Sequence, residues 1–77
     1  MKAYVLINVR AGEVRAVVSQ LRKLEQVIEA HMTFGPYDAV AVITAEDMNG
    51  LGNMIALEIQ PIPGVLETLT CVAVDVQ

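Results

Sequence analysis

At 77 residues the chain has room for one domain that buries roughly 60% of its unfolded surface, yet 55% of its residues are hydrophobic, more than so thin a core needs. The surplus points to a second subunit as cover. A net charge of −4, with only five basic residues, argues against nucleic acid or an anionic membrane as a direct partner, and a single cysteine rules out a disulfide framework or a cysteine metal cluster within the chain, so a cytoplasmic setting is expected.

The opening run Ala3 to Val9 (AYVLINV) is rich in β-branched and aromatic residues and too short for a stable helix, so it reads as a strand ending at Arg10-Ala11-Gly12. It breaks at Asn8 and Arg10, far short of the roughly 20 apolar residues of a membrane span, and it does not read as a signal peptide. Next, Val14, Val17, Val18, Leu21 and Leu24 recur at spacings of three and four between charged residues, which predicts an amphipathic helix. Glu13 in its first turn and Arg22 and Lys23 in its last suit the helix dipole.

From Gln26 to Phe34 the period is two, with Ile28, Ala30, Met32 and Phe34 on one side and Val27, Glu29, His31 and Thr33 on the other, which predicts a second strand. Gly35 and Pro36 then impose a tight turn. Ala39 to Thr44 is apolar on both faces, as in a strand covered on both sides. Asp47 can cap a second helix whose apolar stripe runs from Met48 through Leu51, Met54, Ile55, Leu57 and Ile59 to Ile62, stopped by Pro61 and Pro63. Gly50 and Gly52 weaken its first turns. Val65 to Val76 alternates loosely as a long last strand.

The order β-α-β-β-α-β fits the ferredoxin-like split βαβ fold: an α+β domain with two helices on one face of a four-stranded antiparallel sheet. The other face is then bare. Whichever parity faces the helices, large residues remain on the open side: Tyr4 and Leu6, or Val5 and Ile7, with Val72 and Val74 or Leu69 and Cys71. Covering about 500 Å² of such surface is worth roughly 12 kcal/mol before association costs. A sheet-on-sheet dimer, an α+β barrel of two chains, is the expected answer.

Four landmarks, in this order and spacing, carry a resemblance over the whole chain: AYVLINV with Arg10-Ala11-Gly12, the Gly35-Pro36-Tyr37-Asp38 turn, the Ile62-Pro63-Gly64-Val65 connection, and Glu67-Thr68-Leu69-Thr70. The chain resembles the C-terminal effector (RAM) domain of the Lrp/AsnC transcriptional regulators. The resemblance implies a ferredoxin-like dimer, commonly assembled into rings, with amino-acid effectors bound between dimers. It also implies that residues 1–77 form a single RAM domain without the helix-turn-helix domain of full-length members, acting with itself or through a DNA-binding relative.

Carried over residue by residue, the ligand site would draw on Gly35, Tyr37 and Asp38 from the turn and on Thr68 and Thr70 from the last strand. A free amino acid needs an anion for its ammonium group and donors for its carboxylate, which Asp38, the turn amides and the threonine hydroxyls can supply. The plainer readings stand beside this one: Asp38 as a turn carboxylate satisfying local amides, Tyr37 as a packing residue, Thr68 and Thr70 as ordinary strand residues. His31, two residues from Glu29 on one strand face, reads as a surface or interface residue, and without a His or Cys partner it makes a poor metal ligand. Cys71 reads as a small buried hydrophobe.

No nucleophile–base pair, metal set or cofactor motif is legible, so no cofactor and no catalytic residue is expected. Two alternatives remain open beside an amino-acid sensor. One is a small dimeric α+β barrel enzyme with His31, Asp38 or Glu29 in a sheet-lined cavity. The other is an assembly module that binds no ligand.

Overall fold

The computed structural model describes residues 1–76. Strand β1 (Lys2–Val9) leads into α1 (Val14–Leu21), then β2 (Val27–Met32), β3 (Ala39–Thr44), α2 (Met48–Met54) continued by a π-helical segment (Ile55–Ile59), and β4 (Val65–Val72). The four strands form one antiparallel sheet in the order β2-β3-β1-β4, the ferredoxin-like arrangement expected from the element order.

Parity is decided by the alanines. Ala3, Val5, Ile7 and Val9 of β1 are buried, and their register partners Ala39, Ala41 and Ile43 share that face, as does Ala30 of β2. Side chains this small let Val17, Val18 and Leu21 of α1 and Leu51, Met54, Ile55 and Ile59 of the second helix pack close over the strands as one core. Tyr4, Leu6, Val40, Leu69 and Cys71 therefore lie on the face the helices leave open, together with Glu29 and His31. Cys71 is exposed there, opposite Tyr4, and not buried as its apolar run suggests.

Four elements are shorter than their sequence patterns, among them the second helix, which ends at Ile59 short of Ile62. Strand β2 ends at Met32, so Phe34 belongs to the connecting loop and is fully exposed. A bulge between Val27 and Glu29 puts Val27 opposite Ile43, on the helix-covered face, and leaves Ile28 exposed. Strand β4 stops at Val72, with one further tie from Ala73 N to Lys2 O at 2.8 Å. Helix α1 ends at Leu21, where Arg22 becomes its C-cap and donates Nε to Ala30 O at 2.9 Å. Glu13 is the N-cap residue, and its carboxylate pairs with Arg10 at 3.1 Å instead of capping.

Two glycines set the connections. Gly64 has φ +100 and is buried, and a Cβ there would lie 3.1 Å from Glu13 Cβ and 3.2 Å from Val17 Cγ2. Its carbonyl accepts Arg10 N at 2.8 Å, so the β4 entry is locked under the start of α1. Gly50 donates its N–H to Asp47 Oδ1 at 2.7 Å, as expected of the cap, and a Cβ on Gly50 would sit 3.2 Å from that oxygen.

Candidate functional site

The β2–β3 connection is a six-residue loop, Thr33 to Asp38, wider than the tight turn expected from Gly35-Pro36. Gly35 has φ +143, a conformation open essentially to glycine alone. Thr33 closes the base of the loop twice: its N–H donates to Asp38 O at 3.0 Å and its hydroxyl to Tyr37 O at 2.8 Å. Asp38 N donates to Ile7 O at 2.9 Å, and Val9 N donates to Asp38 Oδ2 at 2.7 Å. The Asp38 side chain thus accepts from the last residue of β1, two residues past the Ile7–Ala39 pair at which the β3 ladder ends. Among the described residues its other oxygen takes no hydrogen bond, so Oδ1 keeps its lone pairs for a donor from outside. Tyr37 and Asp38 are both half-buried.

Thr68 and Thr70 sit at the opposite edge of the sheet. They pair with Ile7 and Val5, so they belong to the helix-covered side of β4. Gln60, the first residue after the π-helical segment, donates Nε2 to Thr68 Oγ1 at 3.2 Å. The wider π turn, closed by Gln60 N to Ile55 O at 2.8 Å, sets the position from which Gln60 reaches β4. The structure therefore brings Gly35, Tyr37 and Asp38 together, and Thr68 and Thr70 together. Strand β1 stands between the two groups, a separation of about 10 Å at two strand spacings. Two hollows in the surface, one over Gln26, Thr44 and Asp47 and one over Arg15, Ser19 and Arg22, involve none of the five.

Sequence reasoning missed Gln60 and the amide of Val9. Nothing in a 3.6-residue period announces a π turn, although Pro61 directly after Gln60 is a signal that the helix closes there. His31 is a surface residue as expected, and it meets Glu29 at 3.0 Å on the open sheet face with both side chains more than half exposed. Among the described residues no three His, Cys, Asp or Glu side chains come close enough to hold a metal ion, and no helix is long and apolar enough to cross a membrane.

Comparison with known proteins places this geometry in context. The family described as the Lrp/AsnC ligand binding domain matches residues 2–76. The chain is 38% identical over 72 residues to the HTH-type transcriptional regulator FL11 of Pyrococcus horikoshii, an alignment that covers 94% of this chain and 47% of the regulator. It spans about half the length of that curated relative. Among solved structures, TTHA0845 from Thermus thermophilus superposes with a TM-score of 0.92 at 33% identity, covering 99% of this chain and 95% of that one. The regulator NMB0573 from Neisseria meningitidis, solved as a complex with L-Met, shares the fold at a TM-score of 0.86 and 18% identity, covering 96% of this chain and 49% of that one.

Proposed function

Since the chain belongs to the Lrp/AsnC ligand-binding domain family, a regulatory domain of transcriptional regulators, we propose that it is a cytoplasmic, oligomeric amino-acid sensor that acts on transcription through assembly with itself or with a DNA-binding relative. The observation that carries the reading is Asp38: one carboxylate oxygen is fixed by Val9 N and the other meets no donor among the described residues, as a group held ready for an ammonium ion would be. The L-Met complex of NMB0573 supports the ligand class.

The split between the hairpin and β4 supports a site shared between chains. Gly35, Tyr37 and Asp38 of one copy would meet Thr68 and Thr70 of another, so binding and assembly would be linked. The open face of Tyr4, Leu6, Val40 and Leu69 supplies the surface for a sheet-on-sheet dimer, and further contacts between dimers would close a ring. The sensor reading assigns no catalytic residue.

Light scattering coupled to size exclusion, repeated with each of the twenty amino acids, tests the proposal. A rise in assembly size or thermal stability with one amino acid supports it, because a ligand that prefers the native assembly must stabilise it by mass action. Indifference to all twenty at millimolar concentration refutes sensing and leaves the assembly-module reading.

A further inference from the structure

In a chain of net charge −4, two arginines, Arg15 and Arg22, line one surface hollow and neither forms an ion pair among the described residues. Arg15 and Arg22 are seven residues apart with Ser19 between them, so the three share one stripe along α1 and its C-cap, spanning about 10 Å at the backbone. With Val18 and Met32 they line an open hollow of about 370 Å³ between α1 and the edge strand β2. Among the described residues the ion pairs are Arg10 with Glu13 and His31 with Glu29, so neither Arg15 nor Arg22 is neutralised.

The hollow is also partly organised. Arg22 Nε donates to Ala30 O of β2 at 2.9 Å, which anchors the guanidinium to the sheet edge and leaves its Nη groups for another acceptor. Ser19 adds a hydroxyl that can donate or accept. Val18 is buried, and Met32 offers a half-exposed thioether, so one wall is apolar and polarizable.

From this arrangement we infer that the Arg15–Ser19–Arg22 hollow binds a small organic phosphate, a phosphate monoester of mononucleotide size. Two unneutralised guanidiniums match a dianion better than a single carboxylate, which would offset only one of them. Each guanidinium can meet phosphate oxygens through paired N–H donors. The apolar wall then takes the body of the ligand, and the volume lies within the range of small-molecule sites. The site shares no residue with the Asp38 hairpin, so it is a second ligand position and does not depend on the amino-acid reading. Its wall residue Met32 directly precedes Thr33, the closing residue of the hairpin, which makes the two positions neighbours.

Calorimetric titration of the whole chain at low salt with adenosine monophosphate, adenosine and inorganic phosphate tests the inference. Adenosine monophosphate should bind, more weakly as salt rises, with adenosine giving no heat and inorganic phosphate binding more weakly than the nucleotide. Arg15→Gln should weaken the nucleotide about tenfold or more; the Arg15 side chain makes no hydrogen bond or ion pair within the described residues, so this variant folds as the parent does. Arg22→Gln should do the same, with circular dichroism reporting whether loss of the Ala30 contact disturbs the fold. Asp38→Asn should leave nucleotide binding unchanged. Absence of heat with the nucleotide, equal binding by Arg15→Gln, or equal affinity for adenosine would overturn the assignment. Inorganic phosphate binding as tightly as the nucleotide would also overturn it, reducing the hollow to an adventitious ion site only.

Discussion

Val9 N–H donates to Asp38 Oδ2 at 2.7 Å, and this one bond joins the end of the central strand to the hairpin that carries the candidate ligand carboxylate. Asp38 therefore has two separable duties: to accept from Val9 and to offer charge at the hairpin. Asp38→Ala removes both and leaves the Val9 amide without its partner, which should lower stability by about 1–3 kcal/mol in urea denaturation. Asp38→Asn keeps an acceptor oxygen for Val9 and should retain most of the stability while abolishing any amino-acid response. Loss of stability in Asn equal to that in Ala would show that the charge itself holds the hairpin.

Gly64 gives a stability prediction independent of ligand. Gly64→Ala forces a residue with a Cβ into φ +100, and the methyl meets Glu13 Cβ and Val17 Cγ2 at 3.1 and 3.2 Å. Strain and contact together should cost about 1–3 kcal/mol, which in a domain of this size lowers the melting temperature by several degrees or more. An unchanged melting temperature would mean that α1 can lift away from the β4 entry.

Leu69 tests the open sheet face. It is about half exposed (48%) in the single chain and sits opposite Leu6 in the register. In a two-fold dimer it enters the contact twice, so Leu69→Lys should weaken association well beyond tenfold, read by light scattering across a dilution series. The circular dichroism spectrum should stay that of the parent, since the residue adds nothing to the core under the helices. A dimer that survives the substitution would place its interface elsewhere.

The Gln60–Thr68 bond predicts a smaller effect. It is exposed and neutral, so Gln60→Ala should lower stability by less than about 1 kcal/mol. Hydrogen exchange should nonetheless quicken along β4, because the bond is a side-chain tie on an edge strand.

The order of elements was legible because each apolar run keeps one period and ends at a residue that stops it: Gly12, Gly35, Pro61. The parity of β1 was not, since Tyr4 and Leu6 are as apolar as Val5 and Ile7. The signal lay in the partner strand, where Ala39 and Ala41 alternate with Val40 and Val42, and helices pack closest over the smaller set. Phe34 and Ile28 were misplaced for a common reason: a strict period of two cannot express a bulge or an early strand end. The hairpin residues Gly35, Tyr37 and Asp38 were legible as a group. Their distance from Thr68 and Thr70 was not, because which strand lies between two others is a property of the sheet order.

The π-helical segment Ile55–Ile59 holds one residue more per closed turn than an α-helix. Each residue advances an α-helix by about 100°. Because the π turn carries one residue beyond what an α turn needs, deleting Ala56, Leu57 or Glu58, all exposed, would let Gln60 close onto Ile55 through an ordinary α turn and keep it on the side facing Thr68. A single-codon loss among these three positions would be absorbed by the turn, sparing both the core beneath and the tether to the outer strand.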